Sequence, residues 1–377
     1  MDIGLTPQHQ QLRLAFRAFV EQEITPNAGQ FDRDGYLPAT LLRELAAQNY
    51  FGAALPSEWG GRGLDAIGYG LLNEEIGRGC SSVRSVLTVH HMAAQAILKW
   101  GTARQREHWL PKLSAGQAVA AFGLTEANVG SDAQHVETSA KHVGESYVLN
   151  GQKRWITAGQ VADLFLVFAQ CDGRPSAFLV EKESPGLTVE ATGGLLGVRA
   201  SMLASLEFKD CPVPQENLVG KVGFGFSHVA AEALHLGRYG VAWGCVGIAQ
   251  ACLDACLRYT NERKQFGRLL KDHQLIRRLV SDMMTNVRAA RLLCIQAGYA
   301  REQGAQSVFV DTMIAKYFAS RSAAQAAHDA VQIHGANGCS DEYPAARYFR
   351  DAKIMEIIEG SNEIQQLTIA EYGYYGF

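Results

Sequence analysis

Glu359 is the carboxylate in this sequence best placed to act on a proton. It follows Ile357 and Ile358 and precedes Gly360, in the run Arg350-Asp-Ala-Lys-Ile-Met-Glu-Ile-Ile-Glu-Gly-Ser-Asn-Glu-Ile364. Apolar neighbours raise a carboxyl pKa, which suits proton abstraction near neutral pH. Four further segments carry chemistry-bearing residues. Ala121 to Asp132 opens with an apolar run and then gives Thr125, Glu126, Asn128, Gly130, Ser131 and Asp132. Small residues there allow backbone N–H groups close to a ligand; a solvated turn after a strand has the same composition. In Leu149 to Thr157, Asn150-Gly151 reads as a hairpin turn. Trp155 and Thr157 then share one face of the returning strand, with Ile156 opposite. An aromatic beside a hydroxyl suits a flat heterocycle, or else a core Trp beside a surface Thr. In Asn261 to Gln274, Arg263 is placed to meet an anion such as a pyrophosphate, or to end a helix in an ordinary charged cluster. Val331 to Gly338 is a glycine-rich helix end that permits close backbone contact.

The elements that must hold these segments fall into three stretches. Residues 5–117 are mostly helical in rhythm. Leu12, Phe16, Phe19 and Val20 recur at helical spacing, and Thr6-Pro7 is a cap and first turn. Leu41–Leu45, Tyr69–Ile76 and Met92–Trp100 predict further helices, with a loop at Pro56–Gly63. Residues 118–221 change to short β-branched and aromatic runs: Tyr147–Leu149, Leu164–Ala169, Ala177–Val180, Leu187–Glu190 and Ala204–Phe208. Turn pairs at Asn150-Gly151, Asp172-Gly173 and Pro185-Gly186 separate them, which predicts a small antiparallel β-domain. From 222 onward long helical patterns return at 226–260, 272–302, 305–335 and 344–358, and predict a bundle. The expected fold is mostly α with a central β-domain, divided at 1–117, 118–221 and 222–377.

At 377 residues, 47% hydrophobic and 19% charged, the chain can build several real cores. A net charge of −3 gives no electrostatic footprint for nucleic acid or an anionic membrane. No apolar run approaches the roughly 20 residues of a membrane span. Met1–Val20, with Asp2, Arg13 and Arg17 in helical rhythm, does not read as a signal peptide. The expected location is cytoplasmic. The eight cysteines show neither CxxC spacing nor a metal cluster, and read as small core residues in a reducing compartment. The dinucleotide fingerprint GxGxxG and the P-loop are both absent, so any dinucleotide is bound in a non-Rossmann manner.

The five segments, in this order and spacing, resemble the acyl-CoA dehydrogenase family over essentially the whole chain. The resemblance implies an N-terminal helical domain, a middle antiparallel β-domain and a C-terminal four-helix bundle. It implies extended FAD in a homotetramer or homodimer. By that resemblance the flavin ring is expected against Phe122, Leu124, Thr125, Ser131, Trp155, Ile156 and Thr157. Arg263, Gln265, Phe266 and Gln274 hold the ADP half of a neighbouring subunit's FAD, completed by Gln332, Gly335, Ala336, Ser361 and Glu363. Glu359 matches the catalytic glutamate of most members. A minority place the base near Gly240, but Gly237 to Gly244 offers no carboxylate. In the implied reaction Glu359 takes the α-proton, while its backbone N–H and a ribityl hydroxyl polarise the thioester carbonyl. The β-hydrogen leaves as hydride to the flavin. An electron-transfer flavoprotein or similar acceptor then reoxidises the cofactor. A flavin oxidase or monooxygenase on the same fold, or a scaffold that has lost FAD, are the competing classes.

Substrate residues come from the run Cys80-Ser-Ser-Val-Arg-Ser-Val-Leu-Thr88. Arg84, Ser85 and Thr88 are similar to the run that reads the distal carboxylate in glutaryl-CoA dehydrogenases, although Gly77 stands where those enzymes carry an acid. The same run, with Val241–Ile248 and Met355–Ser361, resembles acyl-carrier-protein dehydrogenases of polyketide extender-unit biosynthesis. The implied substrate is a short polar acyl thioester, on an acyl carrier protein or on CoA, with Ser131, Arg238 and Gly360 also against it. A structural ion pair of Arg84 with Glu74 or Glu75 is the alternative. An arginine in an acyl pocket argues against a long aliphatic chain.

Overall fold

The computed structural model describes residues 4–376. Met1 and Asp2, part of the N-terminal segment above, lie outside them. Six helices come first: α1 (Pro7–Phe19), α2 (Ala28–Asp34), α3 (Ala39–Ala47), α4 (Ala66–Gly79), α5 (Ser81–Trp100) and α6 (Ala103–Ser114). Thr6 caps α1 as expected: its hydroxyl accepts from the His9 N–H at 3.2 Å, with Pro7 in the first turn.

The strands β1 (Ala120–Gly123), β2 (Ser139–Val143), β3 (Ser146–Ile156), β4 (Leu164–Cys171), β5 (Arg174–Glu181), β6 (Leu187–Ala191), β7 (Ala204–Pro214) and β8 (Leu218–Val219) form one sheet. Its order is β6-β7-β3-β2-β4-β5-β8, with β1 also on β4. The sheet is mixed rather than antiparallel, because β1 runs parallel to β4 and β2 meets β4 in parallel at Ser139 and Gln170. Asp172-Gly173 turns the β4–β5 hairpin with both φ angles positive, as the sequence suggests. Asn150-Gly151 does not turn. The chain runs straight through it, and the β3–β7 ladder slips between Leu149 and Gly151. This is a bulge. The Asn150 amide pairs with the Asp210 side chain at 3.1 Å and with its N–H at 2.9 Å.

The helices return with α7 (Ala231–Glu262), a small hairpin of β9 (Lys264–Gln265) and β10 (Arg268–Leu269), then α8 (Gln274–Glu302), α9 (Val308–His334), α10 (Ala345–Met355) and α11 (Asn362–Tyr375). The last of these has no counterpart among the predicted helices. The stretch Gly225–Glu262 is long and apolar enough to cross a membrane, but 83% of its most apolar window is buried inside the protein. It is the central helix of the bundle. Helices α4 and α7 touch through glycines. A Cβ at Gly70 would lie 2.3 Å from the Trp243 ring, and one at Gly77 would lie 2.9 Å from the Gly244 Cα. A side chain at 77 would therefore require α4 and α7 to move apart.

Candidate active site

Two of the five segments are welded together where strands β1 and β3 end. Strand β1 delivers Phe122, whose ring meets Phe168 at 5.0 Å, and then the loop Leu124–Ser131. Strand β3 grips that loop. The Arg154 N–H donates to the Thr125 carbonyl at 2.9 Å, and Lys153 Nζ donates to the Leu124 carbonyl at 3.3 Å. Lys153 is fully buried and pairs with Glu126 at 2.6 Å. Glu126 also accepts from the Thr138 hydroxyl at 2.6 Å, from the Thr138 N–H at 3.0 Å and from the Glu137 N–H. Glu126 is therefore a buried anchor rather than part of a solvated turn. Burial pushes the Lys153 ammonium down to about 8 in spite of its partner. Burial also pushes the Glu126 carboxyl up, but the Lys153 charge and the hydrogen bonds outweigh it and hold it below the ordinary value.

Beyond Lys153 the β3–β7 ladder slips again, and Trp155 adopts φ +61°. This bulge leaves the indole 49% exposed while Ile156 stays buried. Thr157 is half-buried and Ser131 exposed. Phe122, Leu124, Thr125, Trp155, Ile156 and Thr157 are thus brought to the shared end of β1 and β3, with the Trp155 ring partly exposed and the Arg154 guanidinium over it at 5.3 Å.

Glu359 lies in the turn between α10 and α11. Its φ is +58° and that of Gly360 is +90°. The Glu359 carbonyl accepts from Arg238 Nε at 2.8 Å. The Gly360 carbonyl accepts from Lys316 Nζ at 2.8 Å and Gln365 Nε2 at 3.0 Å. Part of the residue is accessible, but Glu359 Oε2 is buried and has no hydrogen-bond partner among the described residues. The Glu359 N–H also meets no acceptor there. Burial lifts the carboxyl to about 7, against the opposing charges of Arg238, Arg84 and Lys316.

Helix α7 presents this turn with a glycine face. A Cβ at Gly237 would stand 2.6 Å from Glu359 Oε2, one at Gly240 would stand 3.2 Å from Asn73 Oδ1, and one at Gly244 would stand 2.6 Å from Arg84 Cδ. At about 1.5 Å of rise per residue, the three positions are spaced roughly 4.5 and 6 Å along the helix. Base, amide and guanidinium therefore follow one another along a bare strip of backbone.

Arg84 is 1% exposed. Its guanidinium donates to Thr88 Oγ1 at 3.2 Å, Ser85 Oγ at 2.9 Å and Met355 Sδ at 3.1 Å, and its Nε has no partner. Among the described residues it forms no ion pair. The structural alternative fails, because Glu74 is held by Arg291 at 2.7 Å and Glu75 by Arg17 at 2.7 Å. Burial holds the Arg84 guanidinium below its ordinary value. Sequence reasoning missed Lys153, Lys316 and Asn73. For Lys316 a signal existed, since Ala319, Ser320, Ala323 and Ala327 place it on the buried stripe of α9.

The remaining segments meet at the far end of α7. The Tyr259 ring stacks on His334 at 4.3 Å, and its hydroxyl joins the His334 carbonyl and the Asn337 amide. From there the β9–β10 hairpin projects, with Phe266 94% exposed at its tip and Gly267 at φ +75°. Arg263, Gln265, Gln274, Gln332, Gly335, Ala336 and Glu363 are exposed, and Ser361 is half-buried. Arg263 forms no ion pair among the described residues. An exposed aromatic and an arginine without an ion pair here, and a half-exposed indole at the end of β3, fit the two ends of a flavin dinucleotide. Arg263→Ala is expected to weaken FAD retention by about 1.5–3 kcal/mol, the contribution of a charge-assisted contact. Equilibrium FAD titration checks it, and unchanged affinity removes Arg263 from the pyrophosphate.

Three family models match in succession: the acyl-CoA dehydrogenase N-terminal domain at residues 6–117, the middle domain at 121–211 and the C-terminal domain at 224–373. The mitochondrial short-chain specific acyl-CoA dehydrogenase of Rattus norvegicus is 38% identical over 374 residues, 98% of this chain and 90% of that protein. A glutaryl-coenzyme A dehydrogenase solved with glutaryl-CoA superimposes with a TM-score of 0.95 at 35% identity, covering 100% of this chain and 98% of the other. FkbI, for biosynthesis of the methoxymalonyl extender unit of the polyketide Fk520, superimposes with a TM-score of 0.88 at 34% identity, covering 96% and 99%. The chain belongs to the acyl-CoA dehydrogenase family. Its members depend on FAD, and a glutaryl-CoA dehydrogenase from Mycobacterium smegmatis in complex with FADH2 shares the fold with a TM-score of 0.94 at 28% identity, covering 99% and 96%.

Proposed function

We propose that this enzyme oxidises the α,β carbon bond of a short polar acyl thioester carried on an acyl carrier protein, with Glu359 as the base. FAD supplies the two-electron acceptor, and an electron-transfer flavoprotein is the proposed next acceptor. Glu359 Oε2, buried and unpartnered, removes the α-proton. Its free backbone N–H is available to the thioester carbonyl, where negative charge develops. Arg238 holds the Glu359 carbonyl and so keeps this turn in place. Trp155 and Thr157 meet the flavin ring, and the exposed residues around Arg263 meet the ADP half of a neighbouring protomer's cofactor.

The observation that carries the substrate reading is Arg84, buried with an unpaired Nε and no carboxylate partner. Arg84, Arg238 and Lys316 all act on the Glu359 carboxyl, and none of the three forms an ion pair among the described residues. A buried cation without a close counter-ion is expensive unless the substrate answers it with an anionic or hydrogen-bonding group. Arg84 and its neighbours Ser85, Thr88 and Asn73 make that end of the pocket polar. The likeness to FkbI, a protein of methoxymalonyl extender-unit biosynthesis, supports a substrate from that kind of pathway. Arg84→Met is expected to raise KM for hydroxylated or carboxylated short acyl thioesters, and to leave it unchanged or lower for butyryl thioesters. Flavin bleaching across a panel of acyl-CoA and acyl-carrier-protein substrates checks this. Equal losses for both kinds would show that Arg84 does not read the acyl group.

A further inference from the structure

Lys316 is fully buried in α9 among Ala315, Ala319 and Ala323, and forms no ion pair among the described residues. A desolvated ammonium without a counter-ion is costly, so its position needs a reason. Its Nζ donates to the Gly360 carbonyl at 2.8 Å and reaches Asn362 Oδ1 at 3.5 Å. Ser320 Oγ donates to the same Asn362 oxygen at 2.9 Å. Arg238, on α7, does for the Glu359 carbonyl what Lys316 does for that of Gly360. Gln365 Nε2 adds weaker bonds to both, at 3.4 and 3.0 Å. Both residues of this turn have positive φ. A glutamate in the left-handed region is strained and persists where its surroundings over-determine it. Cations from two helices, both on carbonyl oxygens, supply that constraint.

We infer that Lys316 is a positioning residue for the base: its ammonium holds the Gly360 carbonyl, fixes the turn that aims Glu359 over Gly237, and keeps positive charge beside the carboxylate. The inference rests on the reading of Glu359 as the base. Holding a carbonyl requires only a hydrogen-bond donor; the charge is what a neutral donor would not supply. Glu359 is faced by Arg84 from α5, Tyr69 from α4, Arg238 from α7 and Lys316 from α9. Lys316 is faced in turn by Cys245 and Arg238 of α7, and by Glu356 and Glu359 of the turn. Burial already favours the neutral carboxyl, and the three cations oppose it. Removing one of them must move the carboxyl pKa upward and leave less base at a given pH.

The test uses FAD holoenzyme and the variants Lys316→Met and Lys316→Gln; the second keeps a donor for the carbonyl and guards against misfolding in the first. Infrared titration follows the protonated-carboxyl band that Glu359→Gln removes, and needs no substrate. Its midpoint is expected to rise by about one unit or more in both variants, as for loss of a nearby opposite charge. Flavin reduction by butyryl-CoA is expected to slow roughly tenfold to a hundredfold in Lys316→Met, the scale of a small misplacement of a catalytic group. An unchanged midpoint in both variants overturns the inference, even if thermal stability falls, because that is the behaviour of a structural lysine. Failure of the base assignment would appear elsewhere, as rapid flavin reduction in Glu359→Gln.

Discussion

Glu359→Gln is expected to fold, keep FAD and bind thioester, yet to reduce its flavin about 10²–10⁴-fold more slowly than the wild type. The amide keeps the size of the side chain and cannot accept a carbon-bound proton. The buried site favours the neutral form: Oε2 has no partner, and a carboxyl pushed to about 7 is half neutral at that pH. The amide therefore replaces a neutral carboxylic acid with little disturbance. Single-turnover bleaching under anaerobic conditions measures the effect. In the wild type the same rate is expected to rise with pH through about 7, as the proposed base ionises, and to fall below it. Glu363→Gln is the control. That residue is exposed at the start of α11 and its variant retains most of the rate. Near wild-type reduction in Glu359→Gln would move the base to another residue.

The largest stability effect is expected away from the reacting atoms. Lys153→Met leaves the Glu126 carboxylate buried without its cation, and lowers the unfolding free energy by about 3–5 kcal/mol. Urea denaturation of the FAD-loaded protein reads this directly. The double variant Lys153→Met with Glu126→Gln recovers part of the loss, because it removes the orphaned charge. A loss below about 1 kcal/mol in the single variant, the scale of an exposed pair, would mean that the pair is hydrated in solution. The consequence for FAD follows from the connections. Lys153 also holds the Leu124 carbonyl, and the next residue but one is Trp155, so the variant loosens both strands of the proposed flavin edge together.

The helices were legible because their apolar residues recur on one face, and α1 could be placed from Thr6-Pro7 alone. The sheet was harder. Asn-Gly is the strongest short-range hairpin signal, but Gly151 at φ +146° serves here to let β3 pass Thr138, where a Cβ would lie 2.6 Å from the hydroxyl. The turn that does join β2 to β3 is Gly144-Glu145, which carries no such signal. The parallel pairing of Ala120 with Leu164 is a long-range contact that no local pattern encodes. Glu359 could be picked out because its apolar neighbours are adjacent in sequence. Lys153 could not be read in the same way, and Lys316 only from the buried small residues that share its stripe of α9. A lysine marks an exposed position by default, and what buries these two lies far along the chain, in Glu126 for one and Gly360 for the other.

The bare strip on α7 also sets which way this enzyme can change. At Gly237, Gly240 and Gly244 the backbone itself is the wall, with Glu359, Asn73 and Arg84 against it. Nothing can be pruned from that side to admit a bulkier acyl group, and any addition expels a neighbour proposed to do the chemistry or the reading. Variation in substrate range is therefore channelled to the opposite wall, to Asn73 on α4 and to Arg84, Ser85 and Thr88 on α5, where side chains can be exchanged. Lineages that diverge in the acyl group they accept should differ on α4 and α5 while α7 keeps its glycines.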